Sequence, residues 1–447
     1  MGNDQPATLT RRDALKAGIA SAAAAAVWPS GLAYAVEPRA AAGLPGKARS
    51  VIQIWVWGGP CHIDTFDPKP GAGAEYTGPL TAPIETSVSG IRIGELLPEL
   101  GKIADKYSLI RSLTHENNGH ETASYITQTG RMPGGRIVYP GIGAVVSLFK
   151  GYEAGYKGLI PPYMVLTQLQ GRFSESGFLG TRAKPFATGG DPNQPRFVVE
   201  GVVAQGITDP QQAERRELRR KLDTLAVTLK DDPRIVALGE CEAAAYDLIL
   251  GEGRKIFDLS QEKDDLRARY GRSTFGQSCL MARRLVEQGV PFVTINYQGW
   301  DTHKSHFETM RRKLPEMDRG VATLIQDLSD RGLLDSTIVW WCGEFGRTPR
   351  VQWEAPWNGG RGHWGSVFSA LVAGGGFRGG QVVGASDATG SEVANRPVHP
   401  ADVLRSMYML MGIDPDGPLP HPQGLDVRVA PATSEGIKTY GHLAEIM

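Results

Sequence analysis

Short apolar runs rich in β-branched and aromatic residues recur along the chain and predict buried strands. The first run covers residues 51–57 and ends in Gly58-Gly59-Pro60. Its apolar residues do not alternate regularly with polar ones, which is typical of a strand covered on both faces. Similar runs predict strands at residues 107–111, 163–166, 292–296, 337–342 and 369–373.

Helical periodicity lies between several of these runs, at residues 93–104, 139–150, 277–288 and 309–330. Alternation of strands and helices predicts an α/β fold with a central, mostly parallel sheet and helices on both faces. Residues 207–270 are charged and have a helical pattern without an intervening strand. We therefore expect a helical insertion around 207–270 within one large domain over residues 36–447.

The N-terminus has the order of features found in an export signal. Arg11 and Arg12 precede an alanine-rich apolar run at residues 17–27, and Ala33-Tyr34-Ala35 forms a cleavage pattern. These features predict a twin-arginine signal peptide over residues 1–35 and a periplasmic or extracellular location. The apolar run is too short for a permanent membrane span. An ordinary alanine-rich helix is the alternative.

Charge and cysteine usage exclude several classes of protein. The 447 residues include 48 Lys+Arg and 48 Asp+Glu, so the formal net charge is zero. Without a basic excess, a nucleic-acid partner is not expected. The four cysteines contain no CxxC pair, which argues against a zinc ribbon or a disulfide framework.

Polar clusters follow the predicted strands. Ligands of open α/β sheets bind beyond the carboxyl ends of the strands, so these clusters are candidates for one shared site. The residues that follow successive strands, with one nearby histidine, are Asp64 and Asp67, His115 and His120, Asp301, His303 and His306, Glu344 and Arg347, and His363. Turn and helix capping is the alternative for each cluster alone. Carboxylate with imidazole suits zinc, manganese or iron.

Five segments resemble a known family: "GGPCHIDTFDPKP", "IRSLTHENNGHE", "GWDTHKSHF", "GEFGRTPR" and "GRGHWG". They resemble the exported bacterial family called domain of unknown function 1501, over about residues 48–430. That family is similar to the alkaline phosphatase and sulfatase superfamily, in which Asp and His residues at strand ends hold one or two metals. The resemblance implies an alkaline phosphatase-like fold. It also implies a divalent metal, with zinc, manganese, iron and calcium as the candidates.

The resemblance also implies roles for single residues. The implied metal ligands are Asp64, His120, Asp301, His303, Glu344 and His363. In the superfamily, a nucleophile heads a helix that ends in a Thr-Gly pair, and counting back from Gly130 reaches His120. His120 is therefore either a further ligand or a histidine nucleophile. Gly362 stands where the family often has an aspartate, which leaves one carboxylate fewer.

These features predict an exported metal-dependent hydrolase of phosphate or sulfate esters, in which metal-activated water attacks the ester. Arg347 would stabilise negative charge, with Arg111 or Arg131 as alternatives. His115 or His306 would donate a proton to the leaving group. The expected substrate is a small-molecule or glycan ester. Trp353 and Trp357 either pack internally or form a sugar platform.

A non-catalytic, phosphatase-like binding protein of the cell envelope is the alternative function. Its metal site would be structural or vestigial. The histidine at the nucleophile position favours this alternative. The polar residues retained at four strand ends argue against it, because burying charges without a role is costly.

Overall fold

The computed structural model describes residues 46–134, 137–169, 175–194, 208–222 and 252–447. The predicted signal peptide at residues 1–35 lies outside these ranges. Within them, no helix is both long enough and apolar enough to cross a bilayer.

A central sheet of eight strands organises the described chain. Its strands are β1 Ser50–Val56, β2 Tyr107–Leu113, β3 Tyr163–Leu166, β4 Phe186–Ala187, β5 Phe292–Tyr297, β6 Thr337–Cys342, β9 Phe368–Ala373 and β10 Val382–Val383. The two remaining labels, β7 Gly346–Arg347 and β8 His363–Trp364, belong to a separate two-stranded pair. The order across the sheet is β10-β2-β9-β6-β1-β5-β3-β4. All six predicted strands are present. Three other two-stranded pairs join Ile84–Glu85 to Arg92–Ile93, Ala385–Ser386 to Val393–Asn395, and Pro418–Leu419 to Val427–Arg428.

The sheet is parallel except at one strand, which confirms the prediction of a mostly parallel α/β sheet. β1 pairs in parallel with both β5 and β6, so Val51 lies between Phe292 and Ile338. β9 is antiparallel to both β6 and β2. Since β9 runs the opposite way, residues that precede it, rather than follow it, reach the edge where the parallel strands end.

Helices cover both faces of the sheet. They are α1 Ala74–Thr77, α2 Pro98–Lys102, α3 His120–Thr129, α4 Ile142–Lys150, α5 Asp209–Leu222, α6 Glu252–Phe257, α7 Asp264–Tyr270, α8 Thr274–Glu287, α9 His306–Asp330 and α10 Pro400–Leu410. One apolar cluster joins Ile52 and Ile54 to α8 and α9, and another joins Val51 to α4 and α10. Successive β1 side chains point to opposite faces, so burial on both sides explains the unbroken apolar run.

The predicted helix at 93–104 is mostly wrong. Within this range, Pro98–Lys102 is α-helical, Ala104 begins a short 3-10 helix, and Arg92–Ile93 forms a short strand instead. Gly94 explains the difference, because its N–H donates to the Thr65 carbonyl and an added Cβ would collide with the Asp64 carbonyl. The tertiary contact holds this segment as a loop up to Pro98, which starts the helix.

The described parts of the 207–270 stretch contain three α-helices, α5, α6 and α7, and a short 3-10 helix at Leu259–Gln261. The other residues of that stretch, including Cys241, lie largely outside the described ranges. Cys61, Cys279 and Cys342 are free and buried.

Candidate metal centre

The carboxyl edge of the sheet brings together side chains from four separate segments. His120 begins α3 after β2, Asp301 and His303 follow β5, and Glu344 follows β6. His363 lies in β8, whose partner β7 places it opposite Arg347. β8 leads into the antiparallel strand β9, which explains why this histidine reaches the same edge without following a strand of the main sheet.

His120 is held from several sides. Its Nδ1 lies 2.7 Å from Glu344 Oε1, and its ring stacks on Trp57 with the centroids 5.1 Å apart. Gly119 precedes the helix and provides no side-chain cap. Gly130 closes the helix in the left-handed conformation with φ of 73°, as the Thr-Gly ending predicts. His120 is therefore a fixed group at the helix start.

Four side chains converge on the Asp301 carboxylate. The Nε2 atoms of His303 and His363 each lie 3.1 Å from its Oδ1 and are 2.9 Å from one another. Nε2 of His120 lies 3.4 Å from the other carboxylate oxygen, and Arg347 also contacts this carboxylate. Ligand atoms of His120, Asp301 and His363 lie within 4.8 Å of one another, the spacing of a metal shell. His303 touches two of these three residues.

The partners behind two imidazoles select their tautomers. His363 Nδ1 lies 2.8 Å from the Asn118 carbonyl oxygen, which only accepts, so this nitrogen carries the hydrogen. His120 Nδ1 likewise donates to the Glu344 carboxylate. In the neutral forms, both Nε2 atoms therefore turn a lone pair toward Asp301. Lone pairs facing a carboxylate repel, and a cation between them removes the repulsion.

A proton on His120 also reduces the repulsion between its Nε2 atom and the Asp301 carboxylate. Hydrogen bonds to Asp301 and Glu344 raise the pKa of His120 to about 9. Burial alone would raise the pKa of Asp301, but its contacts with His120, His363 and Arg347 hold this pKa below its usual range. The site thus attracts positive charge, either as a proton or as a metal ion.

Glu344 lies behind His120 and not among the converging ligand atoms. It is fully buried, and Oε1 also accepts the Gly58 N–H at 2.9 Å. Its Oε2 finds no hydrogen-bond partner within the described residues. A carboxylate in this position orients the histidine and increases its basicity, which differs from the direct ligand role expected from the resemblance.

Asp64 lies in a second, buried cluster. Its Oδ2 is 2.5 Å from His306 Nε2, and Cys61 completes a group within 4.8 Å. The Arg361 guanidinium lies 3.5 Å from the same carboxylate. Burial alone would raise the pKa of Asp64, but Arg361 and His306 hold this pKa below its usual range. The expected six-residue shell is therefore divided, since a side-chain cation already neutralises Asp64.

Two predicted catalytic histidines are poorly placed for proton donation. His306 is fully buried between Asp64 and Thr302, whose Oγ1 lies 2.6 Å from its Nδ1. Burial lowers the pKa of His306. Burial also lowers the pKa of His115 to about 4, and its Nε2 lies 2.7 Å from the Glu344 backbone oxygen. A lowered pKa disfavours the proton-donor role expected for His115 and His306.

Arg347 supports Asp301 from the protein interior and does not face an open site where an anion could bind. Its guanidinium is fully buried and donates to the carbonyls of Gly59, Trp300 and Arg361 as well as to Asp301. The alternatives lie elsewhere: Arg131 pairs with Glu435, and Arg111 donates to the Phe66 carbonyl. Arg347 therefore holds the Asp301 loop in position.

The sequence interpretation missed two contributors to this region. Arg361 stands in the quoted segment "GRGHWG", and a glycine-flanked arginine close to a candidate ligand is a usable signal. Asn118 contributes through its backbone carbonyl, and a backbone contact carries no side-chain signal in the sequence.

The chain belongs to the family described as "Protein of unknown function (DUF1501)", whose model matches residues 48–439. This membership confirms the family resemblance of the motifs. No curated protein matches the chain.

The fold is similar to several solved structures at low sequence identity. The lipoteichoic acid synthase LtaP from Listeria monocytogenes is 10% identical with a TM-score of 0.37, over 87% of this chain and 76% of that one. A protein in the alkaline phosphatase superfamily from Vibrio parahaemolyticus is 12% identical with a TM-score of 0.38, over 82% and 67%. The PsFucS1 sulfatase from Pseudoalteromonas sp. is 17% identical with a TM-score of 0.33, over 82% and 68%. Likenesses this distant say nothing about the activity of this chain.

Proposed function

We propose that this protein is an exported, metal-dependent hydrolase of phosphate or sulfate esters. The observation that carries the proposal is the convergence of Nε2 of His120, Nε2 of His363 and the carboxylate of Asp301 at the carboxyl edge of the sheet. Glu344 accepts a hydrogen bond from Nδ1 of His120, and the Asn118 carbonyl accepts one from Nδ1 of His363. Both Nε2 atoms are therefore available to bind a cation. His303 is the fourth candidate ligand.

The donor set favours a transition metal. Imidazole nitrogens outnumber carboxylates here, whereas calcium takes six to eight oxygen ligands. Zinc, manganese and iron all accept histidine with carboxylate. Asp64 does not extend the site to a second ion, because Arg361 already lies beside it and the buried Cys61 thiol has its pKa raised to about 12. One ion per chain is expected.

A bound divalent ion would polarise an ester oxygen and make water acidic enough to attack at neutral pH. The chain's own residues provide the geometry. Glu344 orients His120, and Arg347 holds Asp301. Glu344 holds Nδ1 of His120, and Nε2 faces Asp301 within the converging group, which supports the ligand role over the nucleophile role. The Asp301 and His303 side chains, 40% and 38% exposed, form the open side of the site.

The proposed export is supported by the amino-acid sequence alone. The Arg11-Arg12 pair, the alanine-rich run and Ala33-Tyr34-Ala35 favour twin-arginine transport, which carries folded proteins. A metal centre assembled from four distant segments requires a folded chain, so this route suits it. The proposed location is the periplasm or the extracellular space.

Turnover of 4-nitrophenyl phosphate and 4-nitrophenyl sulfate tests the activity. Each is incubated with wild type and Asp301→Ala, after chelation and again after addition of zinc, manganese or iron. Metal-dependent release of nitrophenol by wild type, lost in Asp301→Ala, supports a hydrolase. Equal background rates for both proteins contradict it. If wild type retains one metal per chain yet turns over neither ester, the non-catalytic binding protein becomes the better description.

A further inference from the structure

A loop with two tryptophans borders the open side of the proposed metal centre. We call residues 351–360 the tryptophan loop. The ring of Trp357 lies 6.4 Å from that of His303, and Trp353 stacks on Phe307 with the centroids 5.7 Å apart at 19°. The Trp353 residue is nevertheless 52% exposed. Phe307 therefore packs against part of the indole, and the rest of the side chain is accessible to a ligand.

The tryptophan loop is attached directly to the segment that carries His303. Ser305 N–H donates to the Trp357 carbonyl at 3.2 Å, and His306 N–H donates to the Gly359 carbonyl at 3.3 Å. Gly360 is in such close contact that an added Cβ would overlap the His303 carbonyl oxygen. Both tryptophans are thus held at a set position relative to the metal centre, as a binding platform requires.

The chemistry of the loop selects its ligand. Its ten residues carry one charged side chain, the exposed Glu354, with amides at Gln352 and Asn358. A nucleic acid would require cationic groups here, and the loop has none. A flat indole with nearby carboxylate and amide groups suits a pyranose, whose C–H face packs on the ring while its hydroxyls form hydrogen bonds.

We propose that the tryptophan loop is a glycan subsite, in which Trp353 stacks a sugar ring next to the esterified sugar held at the metal centre. The position of the esterified sugar at the metal centre rests on the proposed function. The subsite narrows the proposed substrate class to esterified glycans. The loop's subsite takes a neutral ring, because Glu354 would repel a second anionic group.

Calorimetry on the metal-free full chain tests the subsite without requiring activity. The probes are cellohexaose, maltohexaose, chitohexaose and a chondroitin sulfate hexasaccharide, with adenosine and a DNA 12-mer as comparisons. The variants are Trp353→Ala, Trp353→Phe and Trp357→Ala. Tyr152→Ala is the matched control, because Tyr152 is an equally exposed aromatic residue outside the loop.

At least one hexasaccharide should bind wild type. Trp353→Ala should raise the Kd for that hexasaccharide by about tenfold or more, because an aromatic anchor is lost. Trp353→Phe should restore most of the affinity, and Tyr152→Ala should leave it unchanged. Absence of saccharide binding to wild type, equal binding by all variants, or binding of adenosine or DNA alone would overturn the proposal. Saccharide binding without ester turnover would support the subsite and contradict the hydrolase proposal. Ester turnover without saccharide binding would support the hydrolase proposal and contradict the subsite.

Discussion

Nδ1 of His120 lies 2.7 Å from Oε1 of Glu344, a residue 224 positions away along the chain. This contact sets which nitrogen of His120 faces the metal centre, and it places a buried carboxylate behind the imidazole. A histidine backed in this way is both oriented and made more basic. The pair therefore explains why a histidine stands at the start of α3.

Removal of either converging histidine should abolish metal binding. His120→Ala and His363→Ala each delete one nitrogen of the three-residue group, which leaves too few ligands for a stable shell. We expect wild type to retain about one zinc, manganese or iron ion per chain after desalting, and these variants almost none. Elemental analysis by mass spectrometry measures the ratio. His421→Ala, which removes a histidine that packs on Phe178, is the control and should keep the metal.

Glu344→Gln should weaken metal binding without unfolding the chain. The amide keeps the size of the side chain but loses the charge that supports His120. Substitution behind a metal-bound histidine typically costs about 10–100-fold in affinity. Competition with a fluorescent chelator measures the change. Glu354→Gln, in the exposed loop, should have no effect, and an equal loss in both variants would contradict the role given to Glu344.

Metal affinity should rise with pH. Asp301 and Glu344 raise the pKa of His120 to about 9, so below that pH the metal must displace a proton. Affinity should increase by up to about tenfold per pH unit between pH 6 and 9 and level off above, because one proton is released. Chelator competition at several pH values gives the slope. A flat profile over this range would show that His120 does not lose a proton on binding.

Arg361→Met should destabilise the fold. It removes the guanidinium beside the fully buried Asp64 and leaves His306 and Cys61 as its neighbours in the cluster. Breaking a buried ion pair from one side typically lowers the free energy of unfolding by about 3–5 kcal/mol. Urea denaturation followed by circular dichroism measures this loss. The double variant with Asp64→Asn should recover part of it, and equal stability of the single and double variants would contradict the pairing.

Gly360→Ala should disturb both stability and metal binding. The added methyl group meets the His303 carbonyl, and relief of the overlap must move the segment that carries His303. Overpacking of this kind costs about 1–3 kcal/mol. Thermal melting with chelator competition reports both effects. Gly71→Ala is the matched control, since its Cβ would meet open space, and it should behave as wild type.

The strands and most of the site segments were predictable from the sequence. Burial on both faces makes each central strand a continuous apolar run, and that pattern is local. Residues that follow parallel strands reach one edge of the sheet, and the structure places His120, Asp301 and Glu344 near each other at that edge. His363 was expected from its motif, but its route to the site depends on the reversed direction of β9.

The sequence by itself therefore determined the α/β alternation, the edge at which polar groups gather and the family. Only the tertiary structure decided which groups face one another. It placed Glu344 behind His120 and paired Asp64 with Arg361 across 297 positions. It also lowered the pKa of His115 and His306 by burial and set the tryptophan loop beside His303. These outcomes depend on distances and desolvation between segments far apart in the chain, and a local residue pattern contains neither quantity.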